Sequence, residues 1–132
     1  STSCPNSSAQ HAAKEALIGS QAIINEMIEI FKTRRDIIVD GLKSINHIEC
    51  DIPKGAFYVF PNISYFIGKT YRGEQINSAN DLSMLLLKEK FIVTVSGESF
   101  GSLSNIRFSY ATSEEIINKM LDRLSSVLSL IK

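Results

Sequence analysis

Arg107 is the residue of this 132-residue chain whose type and setting most readily suggest chemistry. It lies in Asn105-Ile106-Arg107-Phe108-Ser109-Tyr110, a β-branched and aromatic run. Read as a strand, the run puts Ile106, Phe108 and Tyr110 on one face and Arg107, Ser109 and Ala111 on the other. The first face is apolar and packs. The second carries a guanidinium flanked by small side chains, with nothing beside it to block a ligand. A guanidinium is always charged, and its planar fork of donors matches a carboxylate. Such charge-assisted bonds contribute about 1.5–3 kcal/mol each. The alternative is structural, an ion pair with Glu114 or Glu98, and spacing alone favours it.

Pro53-Lys54-Gly55-Ala56-Phe57-Tyr58-Val59-Phe60 is a second candidate. Gly55 would let the backbone approach a neighbour, and Phe57 could form the wall of a pocket. A plain core strand after a turn explains the same residues. Gly97-Glu98-Ser99-Phe100-Gly101 fits neither GxGxxG nor GxxxxGK[ST] and reads as a turn. Lys32, Arg34 and Arg35, with Glu29 and Asp36 nearby, read as a solvated face of mixed charge. His47 and Cys50 stand three apart, but no further ligands cluster there, so no metal site is expected. No serine–histidine–aspartate set or spaced carboxylate pair appears. Alone, the chain shows no self-sufficient catalytic centre.

The elements that must position these residues follow from pattern. Pro5, Asn6, Ser7 and Ser8 start a helix with a small-residue face, and Gly19-Ser20 breaks it. A long helix is expected over about residues 20–45, where Ile24, Phe31, Ile38 and Ile45 recur every seven residues and Arg35 interrupts the seam. At ~1.5 Å per residue it would be ~39 Å long, which suits a helix bridging two domains. Strands are expected at 48–52, 56–60, 91–95 and 105–110, and a polar loop with a short helical turn over 62–78. A helix over 79–90 is capped by Ser78 or Asn80. Thr112-Ser113-Glu114-Glu115 reads as a capping box, with Thr112 as the cap. The apolar face of Ile116, Ile117, Met120, Leu121, Leu124, Val127, Leu128 and Ile131 then continues through the chain end. The fold expected is α/β with an α+β-like small domain: a long N-terminal helix, a small sheet with helices packed on it, and a C-terminal amphipathic helix.

The totals suit one globular domain: 44% hydrophobic and 21% charged residues. Fourteen basic residues balance fourteen acidic ones, so no bulk charge draws the chain to nucleic acid or anionic membrane. No apolar run reaches the ~18 residues of a membrane span. Cys4 and Cys50 read as ordinary reduced thiols of an intracellular, cytoplasmic protein. The start lacks a signal-peptide pattern and a methionine, which suggests a fragment or a processed chain.

Four motifs in register carry a resemblance over essentially the whole chain. They are Thr33-Arg34-Arg35-Asp36, the run from Pro53 to Phe60, the run from Val93 to Gly101, and the run from Ile106 to Glu115. In that order and spacing they resemble class I (fold type I) aminotransferases dependent on pyridoxal phosphate, and most of all bacterial aspartate aminotransferases of the subgroup that often also accepts prephenate. The resemblance implies that residues 1–19 end a large cofactor domain, 20–45 form the interdomain helix, near the hinge of a domain closure, and 46–132 form the small C-terminal domain. It implies that Arg107 binds the substrate α-carboxylate and Phe57 lines the substrate pocket, with Tyr58 in the core. Ser3 and Cys4 would lie at the edge of a partner subunit's site in a homodimer. The substrates implied are an L-amino acid, aspartate or glutamate, and a 2-oxo acid. Two departures stand out. The family usually has Pro-Gly where this chain has Ser96-Gly97. The cofactor lysine and the other cofactor-binding residues precede this region in the family, and Lys14, Lys32 and Lys54 fall outside the pattern. The chain alone is therefore expected to be inactive and to bind no cofactor tightly. An aromatic or prephenate aminotransferase, or a non-catalytic binding or dimerisation module, is the alternative.

Overall fold

A computed structural model of the chain describes residues 4–132. Contacts divide it into two units, one up to Ile30 and one from Phe31 to Lys132.

The first unit holds helix α1 (Ser7–Ile18) and the start of helix α2 (Ala22–Lys43). Asn6 caps α1 by accepting the Ala9 N–H at 3.2 Å. Gly19 closes it, donating its own N–H to Glu15 O at 2.8 Å. No residue of α1 is buried, and Leu17 and Ile18 are exposed.

The second unit has the core. Here α2 buries Ile38, Val39 and Leu42. Of the seven-residue repeat that Arg35 interrupts, Ile24 and Ile28 are exposed and only the C-terminal half packs. At Gly41 a Cβ would fall on the Leu121 side chain, so glycine lets α2 close on helix α4 (Glu114–Leu128).

Strands β1 (Tyr58–Val59), β4 (Val95–Ser96) and β5 (Ile106–Ser109) form an antiparallel sheet in the order β1-β5-β4. Tyr58 pairs with Ser109, Val59 with Phe108, and Val95 with Arg107. The sheet's inner face presents Ile106, Phe108 and Tyr110, each at most 3% exposed. Helix α3 (Ala79–Lys90) contributes Leu82 and Leu86 to the same core, and α4 contributes Ile117, Leu124 and Val127.

Several expected strands are shorter than their composition predicts. Residues 48–52 keep only an isolated bridge, Glu49 to Asn62. The run 56–60 shrinks to β1 because Ala56 takes a left-handed conformation (φ 59°) and Pro61 has no N–H to pair. The run 91–95 yields its start to the end of α3. Phe91 adopts φ 56°, and its N–H donates to Leu87 O while the Ile92 N–H donates to Leu86 O, an αL-type closure. The short helical turn expected within 62–78 is a 3-10 turn, Ser64–Phe66, and the rest of that loop also holds a hairpin of β2 (Thr70–Tyr71) and β3 (Glu74–Gln75) turning at Arg72-Gly73, both with positive φ. Helix α4 stops at Leu128, and Lys132 then exchanges backbone hydrogen bonds with Thr70.

The cap of α4 is Ser113, whose Oγ accepts the Ile116 N–H at 3.3 Å, and not Thr112. The expected reciprocal box does not form, since Ile116 stands where a glutamate would reach back. Ser113→Ala should cost about 1 kcal/mol in urea denaturation, and Thr112→Ala clearly less. A larger loss from Thr112→Ala than from Ser113→Ala would return the cap to Thr112.

Candidate carboxylate-binding site

β5 sets Arg107 on the outer face of the sheet, half-buried. The period-two alternation expected for this strand is present. Neither acid proposed as a structural partner, Glu98 or Glu114, pairs with it. Among the described residues, Arg107 makes no side-chain hydrogen bond or ion pair.

Its partners are two rings. The guanidinium carbon lies 4.3 Å from the centroid of Tyr58 and 4.6 Å from that of Phe100. The face of Arg107 is therefore not bordered only by small side chains. Tyr58, expected in the core, is half-buried on this outer face. The signal was present in β1: if Val59 points inward, Tyr58 and Phe60 point outward, and antiparallel pairing brings them to Arg107.

Phe100 comes from the turn after β4. There residues 97–100 form a 3-10 turn closed by Gly101 at φ 80°. Ser96 Oγ accepts the Glu98 N–H at 3.3 Å, so serine caps this turn where the family usually has proline. Phe60 meets Phe100 edge-on, with centroids 6.0 Å apart.

Phe57 is 41% exposed, and the rings that meet Arg107 among the described residues are Tyr58 and Phe100 instead. Its ring lies 4.4 Å from Tyr58 and 6.5 Å from Phe31, so Tyr58 stands between the two candidates. The Tyr110 N–H donates to Phe57 O at 2.9 Å, and the Tyr110 hydroxyl donates to Ala56 O at 2.9 Å. Burial, above all, pushes the Tyr110 hydroxyl's pKa up, so it stays a donor and holds the bend before β1. Gly55 is open to solvent with no close neighbour. The conformational strain falls on Ala56, not on the glycine expected to allow a close approach.

The basic cluster on α2 is less solvated than expected. Arg35 is half-buried and pairs with Asp36 at 2.7 Å. Arg34 lies over Phe31, and its Nε is buried without a partner. Cys50 is buried, and burial is the chief cause of its raised pKa, which keeps the thiol protonated. His47 stacks on Tyr65 at 3.5 Å. No group of three metal-ligating side chains occurs among the described residues. Cys4 is exposed, and Ser3 lies outside the described residues. Among the described residues no helix is long and apolar enough to cross a membrane.

The unit from Phe31 onward is thus a helix-covered antiparallel sheet with the Arg107 guanidinium on its outer face, without an ion pair or side-chain hydrogen bond among the described residues. Residues 1–124 match the family model for aminotransferases of class I and II, and the chain belongs to that family. It is 39% identical to the aspartate aminotransferase of Rhizobium meliloti (strain 1021), over 95% of this chain and 31% of that protein. It is 41% identical to the aspartate/prephenate aminotransferase of Cereibacter sphaeroides, over 96% of this chain and 32% of that protein. The crystal structure of the aspartate aminotransferase from Rhizobium meliloti superposes with a TM-score of 0.95 at 36% identity, covering all of this chain and 33% of that one. The chain therefore spans about a third of the length of these relatives.

The family implies pyridoxal phosphate as the cofactor of a full-length member. Holding it takes a lysine amine at the reacting position, a phosphate cradle and an acid for the ring nitrogen. The described lysines are exposed except Lys69 and Lys90, which are half-buried. Lys69 lies over the Tyr65 ring, and Lys90 is at the end of α3. Neither joins the group around Arg107. The residues described here do not by themselves fit the whole cofactor.

Proposed function

We propose that this chain is the C-terminal segment of an aspartate-type aminotransferase, and that Arg107 receives the α-carboxylate of its substrate. The parent enzyme would move an amino group between an L-amino acid, aspartate or glutamate, and a 2-oxo acid, with pyridoxal phosphate supplying the electron sink. One observation carries the reading: a half-buried guanidinium on the open face of the sheet, held between two rings, with no carboxylate of its own. A buried or half-buried arginine kept for structure is normally paired. One kept for a ligand leaves its fork free.

In this reading residues 1–19 end the cofactor domain, 20–45 form the interdomain helix and 46–132 form the small domain. Phe57 lines the substrate side of the pocket. Ser3 and Cys4 lie at the edge of the partner's site in a cytoplasmic homodimer. The 132-residue chain is inactive alone. The similarity to an aspartate/prephenate aminotransferase favours prephenate as a further amino acceptor.

The test is direct. The full-length protein, purified with pyridoxal phosphate, should move the amino group of L-aspartate to 2-oxoglutarate, while the 132-residue chain should not. Oxaloacetate release coupled to NADH oxidation reads the rate. A full-length protein with no amino transfer from aspartate or glutamate would defeat the proposal. Replacing 2-oxoglutarate by prephenate decides the acceptor question in the same assay.

A further inference from the structure

A guanidinium can meet a carboxylate edge-on, through two parallel N–H bonds, or through one bond at any tilt. Only the first fixes the ligand's orientation. The plane of the guanidinium decides between them, and Arg107 reaches its position on a long flexible side chain. Among the described residues no hydrogen bond or ion pair holds its head. The rings of Tyr58 and Phe100 lie closest to its charge among the described aromatic side chains, at 4.3 and 4.6 Å. These two rings make no ring contact with each other among the described residues, so they meet the guanidinium as separate partners, from different directions.

Each ring is itself braced. Phe57 lies against Tyr58, and Phe60 meets Phe100 at an interplanar angle of 87°. Phe100 is 49% exposed, so core burial does not explain its place. The turn that carries it is pinned at Gly97, whose N–H donates to Asn105 O and whose own C=O accepts from Ser102. Asn105 is two residues before Arg107. The turn and the strand are therefore tied together where ring and guanidinium meet.

We propose that Tyr58 and Phe100 are positioning residues that clamp the plane of the Arg107 guanidinium, so that its edge faces a carboxylate and the substrate enters in one orientation. This rests on the reading of Arg107 as the α-carboxylate receptor. With the two rings held against the guanidinium, the N–H groups that point away from them are the open donors, and a carboxylate would pair in their plane. An exposed ring contributes here through the cation and not through burial.

A double-mutant cycle in the full-length holoenzyme tests it, with L-aspartate as the probe. Phe100→Leu should lower kcat/KM about 3- to 30-fold, and Phe100→Tyr should restore it. Tyr58→Phe should behave like the wild type and Tyr58→Leu like Phe100→Leu. In the Arg107→Ala background, Phe100→Leu should add no further loss. Equal losses with and without Arg107, or no loss from Phe100→Leu while Arg107→Ala is severely impaired, would overturn the clamp and leave the carboxylate reading standing. No loss from Arg107→Ala itself would remove both.

Discussion

Arg107→Ala in the full-length enzyme should lower kcat/KM for L-aspartate by about 10²- to 10⁴-fold. The figure follows from two charge-assisted hydrogen bonds of about 1.5–3 kcal/mol each, at about 1.4 kcal/mol per factor of ten. The loss should appear with every amino acid substrate, because each carries an α-carboxylate. Stability should hardly change. Arg107 has no ion-pair partner among the described residues, so its removal strands no buried carboxylate. Arg107→Lys should recover only part of the loss, since an ammonium keeps the charge and gives up the fork. Steady-state kinetics with aspartate and glutamate, beside thermal unfolding of the same variants, separate a binding role from a structural one. Full activity in Arg107→Ala would exclude Arg107 from the site.

Gly97→Ala is the second large effect, and it acts on the scaffold. A Cβ at Gly97 would fall on the carbonyl oxygens of Asn105 and Ser102. Both are backbone atoms, and both residues are hydrogen-bonded to Gly97, at 2.8 and 2.9 Å. No side chain can swing aside to make room. Overpacking costs about 1–3 kcal/mol, occasionally more, and the loss of either hydrogen bond adds about 1 kcal/mol. A total near 3 kcal/mol lowers the melting temperature of a ~100-residue domain by roughly 12–24 °C. Because the displaced Asn105 lies two residues before Arg107, activity should fall further than the loss of folded protein explains. A melting temperature within two or three degrees of the wild type would show that the turn can relax.

The parts legible in the sequence are those set by local rules. Helix α3 matches its expected bounds, Ala79–Lys90, because Ser78 caps one end and two lysines suit the other. β5 was readable from its alternation of large apolar and polar residues, which also placed Arg107 on the outer face. Tertiary contacts decided the rest. The strand propensity of Phe91-Ile92-Val93 yielded to the closure of α3. The hairpin of β2 and β3 is polar and only two residues a side, too short for periodicity to register, and it is held by its Arg72-Gly73 turn and by Lys132. At the site, family register drew attention to Arg107 and Phe57 but placed Tyr58 in the core. Tyr58 and Phe100 reach Arg107 through cross-strand pairing and a turn, and neither relation is written in the spacing of one segment.

The central claim is that Arg107 reads the α-carboxylate, and one comparison addresses it. β-Alanine is aspartate without that group. The ratio of kcat/KM for L-aspartate to that for β-alanine should be large in the wild-type holoenzyme. In Arg107→Ala it should collapse by about 10²-fold or more, through loss of aspartate activity alone. A ratio unchanged by the substitution would contradict the account, because the discrimination would then come from some other group.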